Sequence, residues 1–121
     1  MKHCLVVEDS RVIRKVACRI LESLNISTEE AEDAASALEA CRQHMPDLVL
    51  LDWNMPDGGA LAFLRDLRRE TGGEEPVVVF CTTENDLSEI TEAMMAGAND
   101  FVLKPYDRPL IETKLAQVGV I

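Results

Sequence analysis

Four short apolar runs punctuate the chain: Cys4 to Val7 (CLVV), Leu48 to Leu51 (LVLL), Val77 to Cys81 (VVVFC) and Phe101 to Leu103 (FVL). They are continuous rather than alternating. Strands of this kind are covered on both faces, which is the habit of parallel sheets. The segments between them carry helical spacing. At 100° per residue, Ile13, Ala17, Ile20, Leu21 and Leu24 fall on one arc of a first helix, with Arg11, Arg14 and Lys15 opposite. Ser10 is placed to cap that helix. Further helices are predicted over Ala35 to His44, Gly59 to Arg69, Asp86 to Ala96 and Pro109 to Val118, punctuated by Gly72-Gly73, Gly97 and prolines. The polar segment Ser27 to Asp33 (STEEAED) can be a strand only at a sheet edge. Alternating strand and helix gives about five βα units, an α/β fold.

Composition narrows the picture. A chain of 121 residues suits one domain able to bury its own core without disulfides or metals. The 22 acidic residues against 12 Lys and Arg give a net charge of −10, with no basic stripe, which argues against direct nucleic-acid binding. The apolar runs are too short for membrane insertion or a signal peptide, so a cytoplasmic protein is expected. Cys4, Cys18, Cys41 and Cys81 lie at wide intervals without a C-x-x-C pair and read as reduced, buried thiols. His3 and His44 stand apart from other ligands in the sequence and read as structural or surface residues.

The strand ends carry the chemistry. In a parallel sheet, residues closing different strands gather along one edge, where open α/β folds bind ligands. Here the runs are followed by Glu8-Asp9, by Asp52, by Thr82-Thr83-Glu84 and by Lys104-Pro105. Unit charges ~4 Å apart at an effective dielectric of ~20 interact by about 4 kcal/mol, so clustered carboxylates require a counter-charge. A divalent cation supplies it, and an oxygen-only site suits Mg²⁺, with Mn²⁺ able to substitute, better than Zn²⁺. One carboxylate can then act as a nucleophile towards phosphorus, the charge being shared with Lys104 and the Thr82 hydroxyl. On this reading the buried strand fixes Asp52 and its end exposes it.

The set LVVEDS … LLDWNMP … VFCTTEN … FVLKP resembles the receiver domain of two-component response regulators across essentially the whole chain. The resemblance implies a flavodoxin-like (βα)5 fold over 1–121, its parallel sheet in the order 2-1-3-4-5, with no output domain. It implies Asp52 as phospho-acceptor, Mg²⁺ held by Asp9, Asp52, the Asn54 carbonyl and, through water, Glu8, and Lys104 paired with the phosphoryl group. Thr82 and Phe101 would be the switch pair, and Lys104-Pro105 a cis bond. The DWNMP run with Asn54 and Glu84 is most similar to chemotaxis-type single-domain regulators, where such residues position water for dephosphorylation. A phosphoryl lifetime of seconds to minutes follows. The family's first helix commonly docks on its partner, which marks Val12, Arg14 and Val16. Four features depart from the common pattern: Glu8 for Asp, Gly59-Ala60 for an Asp-Gly pair, Phe101 for Tyr, and Thr83 for Ala, which would narrow access to the phosphoryl group.

The partners implied are a histidine kinase or histidine phosphotransfer protein and a downstream protein target, for a monomer that phosphorylation could dimerise. Not an enzyme in the usual sense, such a protein catalyses only its own phosphorylation and dephosphorylation. A haloacid-dehalogenase-type phosphatase, also built on a strand-end Asp, Lys and Mg²⁺, is the alternative. It normally requires a second Asp two residues after the nucleophile, where this chain has Asn54, and an acidic pair late rather than early in the chain. A flavin carrier would require a glycine- and hydroxyl-rich loop where EDSRVIR stands.

Overall fold

The computed structural model describes residues 2–56 and 58–121. Each apolar run becomes a strand, and the elements alternate throughout: β1 His3–Val7, α1 Arg11–Ser23, β2 Ser27–Ala31, α2 Ala34–Gln43, β3 Leu48–Asp52, α3 Gly59–Arg69, β4 Val77–Thr82, α4 Leu87–Met95, β5 Asp100–Leu103 and α5 Arg108–Gln117. The sheet is parallel, in the order β2-β1-β3-β4-β5. The pattern predicts the alternation, and the strand order is the flavodoxin-like one that the resemblance implies. The polar strand β2 takes an edge and pairs with β1, its Glu29 and Glu30 exposed. Charged edge residues discourage pairing with a further chain.

Two apolar layers hold the sheet. On one face Leu5, Val7, Val49, Leu51, Val78 and Phe80 pack with Phe63, Leu64 and Leu67 of α3 and with residues of α2 and α4. On the other, Cys4, Val6, Leu50, Val79 and Cys81 meet α1 and α5 through Leu21, Ile111 and Leu115. All four cysteines are buried and free, and burial pushes Cys41 up to about 11 and Cys4 and Cys81 further still. Such thiols are packing groups rather than nucleophiles. No helix among the described residues is long and apolar enough to cross a membrane.

Local signals set the helix starts. Ser10, Asp33, Asp86 and Asp107 each accept a backbone N–H of the first turn, and Pro109 follows Asp107 where its missing N–H matters least. Helix α3 begins differently. Gly58 stands at its N-cap at φ 66°, in the left-handed region that glycine adopts without strain, just before Gly59 and the buried Ala60.

Arg68, near the end of α3, ties two loops together. Its guanidinium donates to the carbonyls of Gly97 (2.6 and 3.0 Å), Gly73 (2.9 Å) and Pro76 (2.8 Å), and to Asn99 Oδ1 (3.1 Å). Asn99 Oδ1 in turn accepts the Val78 N–H at 2.8 Å. Gly97 is required beside it: at φ 120°, an added Cβ would lie 2.8 Å from Arg68 Cγ. Charge-assisted bonds to carbonyls contribute about 1.5–3 kcal/mol singly, but these carbonyls can be rehydrated once the side chain is gone. Arg68→Ala is therefore expected to destabilise by about 2–3 kcal/mol, read as a lower denaturation midpoint; a change within experimental error would contradict the clamp.

Candidate functional site

The parallel register carries the strand ends to one rim. Val7 pairs with Leu51, Asp52 with Cys81, and Thr82 with Leu103, so Glu8, Asp52, Thr82 and Lys104 lie side by side although up to 96 residues separate them. Backbone bonds fix the rim: Glu8 N–H donates to Ala31 O at 3.0 Å, Trp53 N–H to Cys81 O at 2.8 Å, and Lys104 N–H to Thr82 O at 2.8 Å. The Lys104–Pro105 peptide is cis.

Lys104 is the centre of the arrangement. Its ammonium donates to Asp52 Oδ1 at 2.7 Å and to Glu8 Oε1 at 2.9 Å. Asp52 Oδ1 also accepts the Asn54 N–H at 3.1 Å, and Glu8 Oε2 accepts the Ser10 N–H at 3.2 Å. The strand end does not expose Asp52 as the sequence suggested: the residue is 3 % exposed, beneath Lys104. Glu8 and Thr82 are buried beside it.

The charge balance is uneven. Burial pushes the Glu8 carboxyl up to about 7 in spite of its bond to Lys104, with Asp9 and Asp52 adding to the rise. Burial pulls the Lys104 ammonium down, and the two carboxylates more than restore it, leaving it above the usual lysine value. Glu8, Asp9 and Asp52 present oxygens within 4.8 Å of one another. One ammonium cannot neutralise three carboxylates. The set is a hard, oxygen-only donor group short of positive charge, which fits Mg²⁺.

Around this centre, Thr82 Oγ1 accepts the Glu84 N–H at 3.1 Å. Asn54 is exposed, and its Oδ1 accepts from Thr83 N at 2.9 Å and Thr83 Oγ1 at 3.4 Å, while Glu84 lies exposed on the same loop. Thr83 thus holds the Asn54 amide. Phe101 is partly buried and stacks on Phe80 at 5.7 Å, with Lys114 Nζ 5.9 Å from its ring centre.

The first helix departs from its simple wheel. Val12 and Val16 are exposed (74 % and 46 %), and Ile13, placed on the core arc, is also 39 % exposed. These residues line an apolar groove beside the rim with Lys104, Pro105 and Tyr106. Arg14 is not a free surface charge: it donates to Glu8 O at 2.7 Å and Glu30 Oε1 at 2.9 Å, and its side chain is only 13 % exposed. Met95 of α4 is exposed. Sequence reasoning passed over Tyr106, which packs beside the rim and whose phenol burial pushes up. Its position just after Lys104-Pro105 is the only signal the sequence offers for it.

Known proteins share both the pattern and the geometry. The family model described as the Response regulator receiver domain matches residues 4–116. The phosphate regulon transcriptional regulatory protein PhoB of Escherichia coli is 35% identical over 105 residues, 87% of this chain and 46% of its own length. The chain thus spans about half the length of the first curated relatives it matches. Chemotaxis protein CheY-3 of Vibrio cholerae is 30% identical over 115 residues, 94% of this chain and 88% of its own. The solved chemotaxis protein CheY4 of Vibrio cholerae superposes with a TM-score of 0.92 at 25% identity, over 98% of both chains.

Proposed function

The chain belongs to the response regulator receiver family of two-component signalling, and on that basis we propose that Asp52 accepts a phosphoryl group from a histidine kinase or histidine phosphotransfer protein in the cytoplasm. Receiver domains are signalling domains rather than metabolic enzymes. The observation that carries the reading is the Lys104 ammonium bound at once to Glu8 and Asp52.

Asp9 and Asp52, with Glu8 and the Asn54 carbonyl, would hold Mg²⁺, or Mn²⁺ in its place. When bound, the ion supplies the positive charge that the rim lacks and draws charge from the incoming phosphoryl oxygens. The Asp52 carboxylate attacks phosphorus; the new O–P bond replaces the P–N bond of the donor, whose electron pair returns to the imidazole. Lys104 moves from the carboxylates to a phosphoryl oxygen. Thr82 turns its hydroxyl to another, exchanging its bond with Glu84 N–H, and Phe101 follows inward. Asn54 and Glu84 position the water that hydrolyses the acyl phosphate, giving a lifetime of seconds to minutes.

The added charge shifts an equilibrium between two surfaces and so changes the binding of a downstream protein, as a monomer or as a phosphorylation-induced dimer. The exposed Val12 and Val16, with Arg14 anchoring the helix beneath them, form the surface for the phosphoryl donor. Incubation with Mg²⁺ and a small acyl-phosphate donor tests the reading. Intact mass should increase by one phosphoryl group, and a chelator should abolish the gain; an unchanged mass with Mg²⁺ present, or a gain indifferent to chelation, would refute it.

A further inference from the structure

At the opposite end of the strands, three potential ligands converge that lie far apart in the sequence. His3 opens β1, Glu29 lies in β2, and His44 caps the end of α2. The His3 and His44 rings stack with centroids 4.5 Å apart and 15° between planes, and His3 Nε2 is 3.4 Å from Glu29 Oε1. One ligand atom from each residue lies within 4.8 Å of the others.

Hydrogen bonds orient the His3 ring. Ser27 Oγ donates to Lys2 O at 3.2 Å, which leaves its oxygen to accept from His3 Nδ1–H at 3.1 Å. Nε2 then faces Glu29 Oε1 at 3.4 Å, a gap bridged by a proton on the ring or by a metal ion in its place. The backbone under His3 is also pinned: its N–H donates to Asp47 Oδ2 at 2.8 Å, and its carbonyl accepts Asp47 N–H at 2.9 Å. An imidazole held by a hydrogen bond on its far nitrogen is the usual arrangement of a metal ligand.

We propose that His3, His44 and Glu29 form a second cation site, for a borderline transition-metal ion of the Zn²⁺ class, separate from the acidic rim. Two imidazoles and one carboxylate suit that class and do not suit Mg²⁺. With metal–nitrogen bonds of about 2.0–2.1 Å, tetrahedral ligand atoms lie roughly 3.4 Å apart, so the site must close by about 1 Å. In the stacked pair the in-plane lone pairs run side by side, so metal binding must also turn the His44 ring out of the stack, which its exposed place at the helix end allows. The fourth position remains open to water. Binding would tie the edge strand β2 to α2.

The test is a titration of the full chain with Zn²⁺ under saturating Mg²⁺, which occupies the acidic rim. It is followed by competition with a zinc indicator and by the imidazole nitrogen resonances. One equivalent should bind, shifting the signals of both His3 and His44. His44→Ala, which removes an exposed ring, should weaken binding at least ~10-fold, and Ser27→Ala by about 10–100-fold through the loss of His3 orientation. Circular dichroism checks that both variants remain folded. Absence of binding, unmoved imidazole signals, or an affinity unchanged in folded His44→Ala would overturn the assignment.

Discussion

Asp52→Asn should leave incubation with Mg²⁺ and an acyl phosphate at its starting mass, yet melt above the wild type when divalent cations are chelated. Loss of labelling follows from removing the nucleophilic oxygen. The gain in stability follows from charge. Without a divalent ion, Lys104 faces Glu8, Asp52 and the nearby Asp9, and Asp52 is 3 % exposed. Asparagine keeps the shape and removes one anion, leaving Lys104 paired with Glu8. An increase of about 1 kcal/mol, or roughly 3–5 °C, is expected. A lower melting temperature than wild type would show that the rim is not short of positive charge, and a label retained in Asp52→Asn would place the acceptor elsewhere.

The same imbalance gives a pH signature. The Glu8 carboxyl stands at about 7 in the folded chain against 4.5 for an unperturbed glutamate, so between these values the folded state holds more protons than the unfolded one. Stability in chelator should therefore fall as pH rises through that window. In Asp52→Asn, where one of the neighbouring anions is gone, the fall should be shallower.

Phe80→Ala should produce the largest loss of stability, about 3–5 kcal/mol, measured as a shift of denaturation midpoint. Phe80 has no exposed surface, occupies an inner strand, and meets Trp53 at 5.1 Å and Phe101 at 5.7 Å. Because both neighbours belong to segments flanking the acceptor rim, the cavity would also loosen the site. A loss below about 1 kcal/mol would mean that the surrounding rings collapse into the space.

The fold was legible because burial on both faces writes itself as continuous apolar runs, and because parallel strands place their last residues on one edge. Glu8, Asp52, Thr82 and Lys104 could thus be brought together without coordinates. Their mutual cover could not. Whether a strand-end carboxylate is open or lies beneath an ammonium depends on side-chain reach across the rim, which spacing does not encode. Arg68 was invisible for a different reason: its acceptors are mainly backbone carbonyls, which every sequence supplies everywhere. His3 and His44 looked isolated because spacing along a chain says nothing of side chains brought together from separate elements. Ile13 lies on its predicted arc yet stays partly exposed in the groove beside Tyr106, because a helical wheel gives the direction of a side chain and not what covers it.

The Arg68 clamp grips β4 and β5 through Pro76, Gly97 and Asn99, all at the ends where these strands begin, whereas Thr82 and Lys104 stand where they finish. At that other end Lys104 N–H closes on Thr82 O at 2.8 Å. The two ribbons are thus pinned at root and tip alike, so a disturbance at the rim has to travel through side chains rather than by slipping the ladder between the strands.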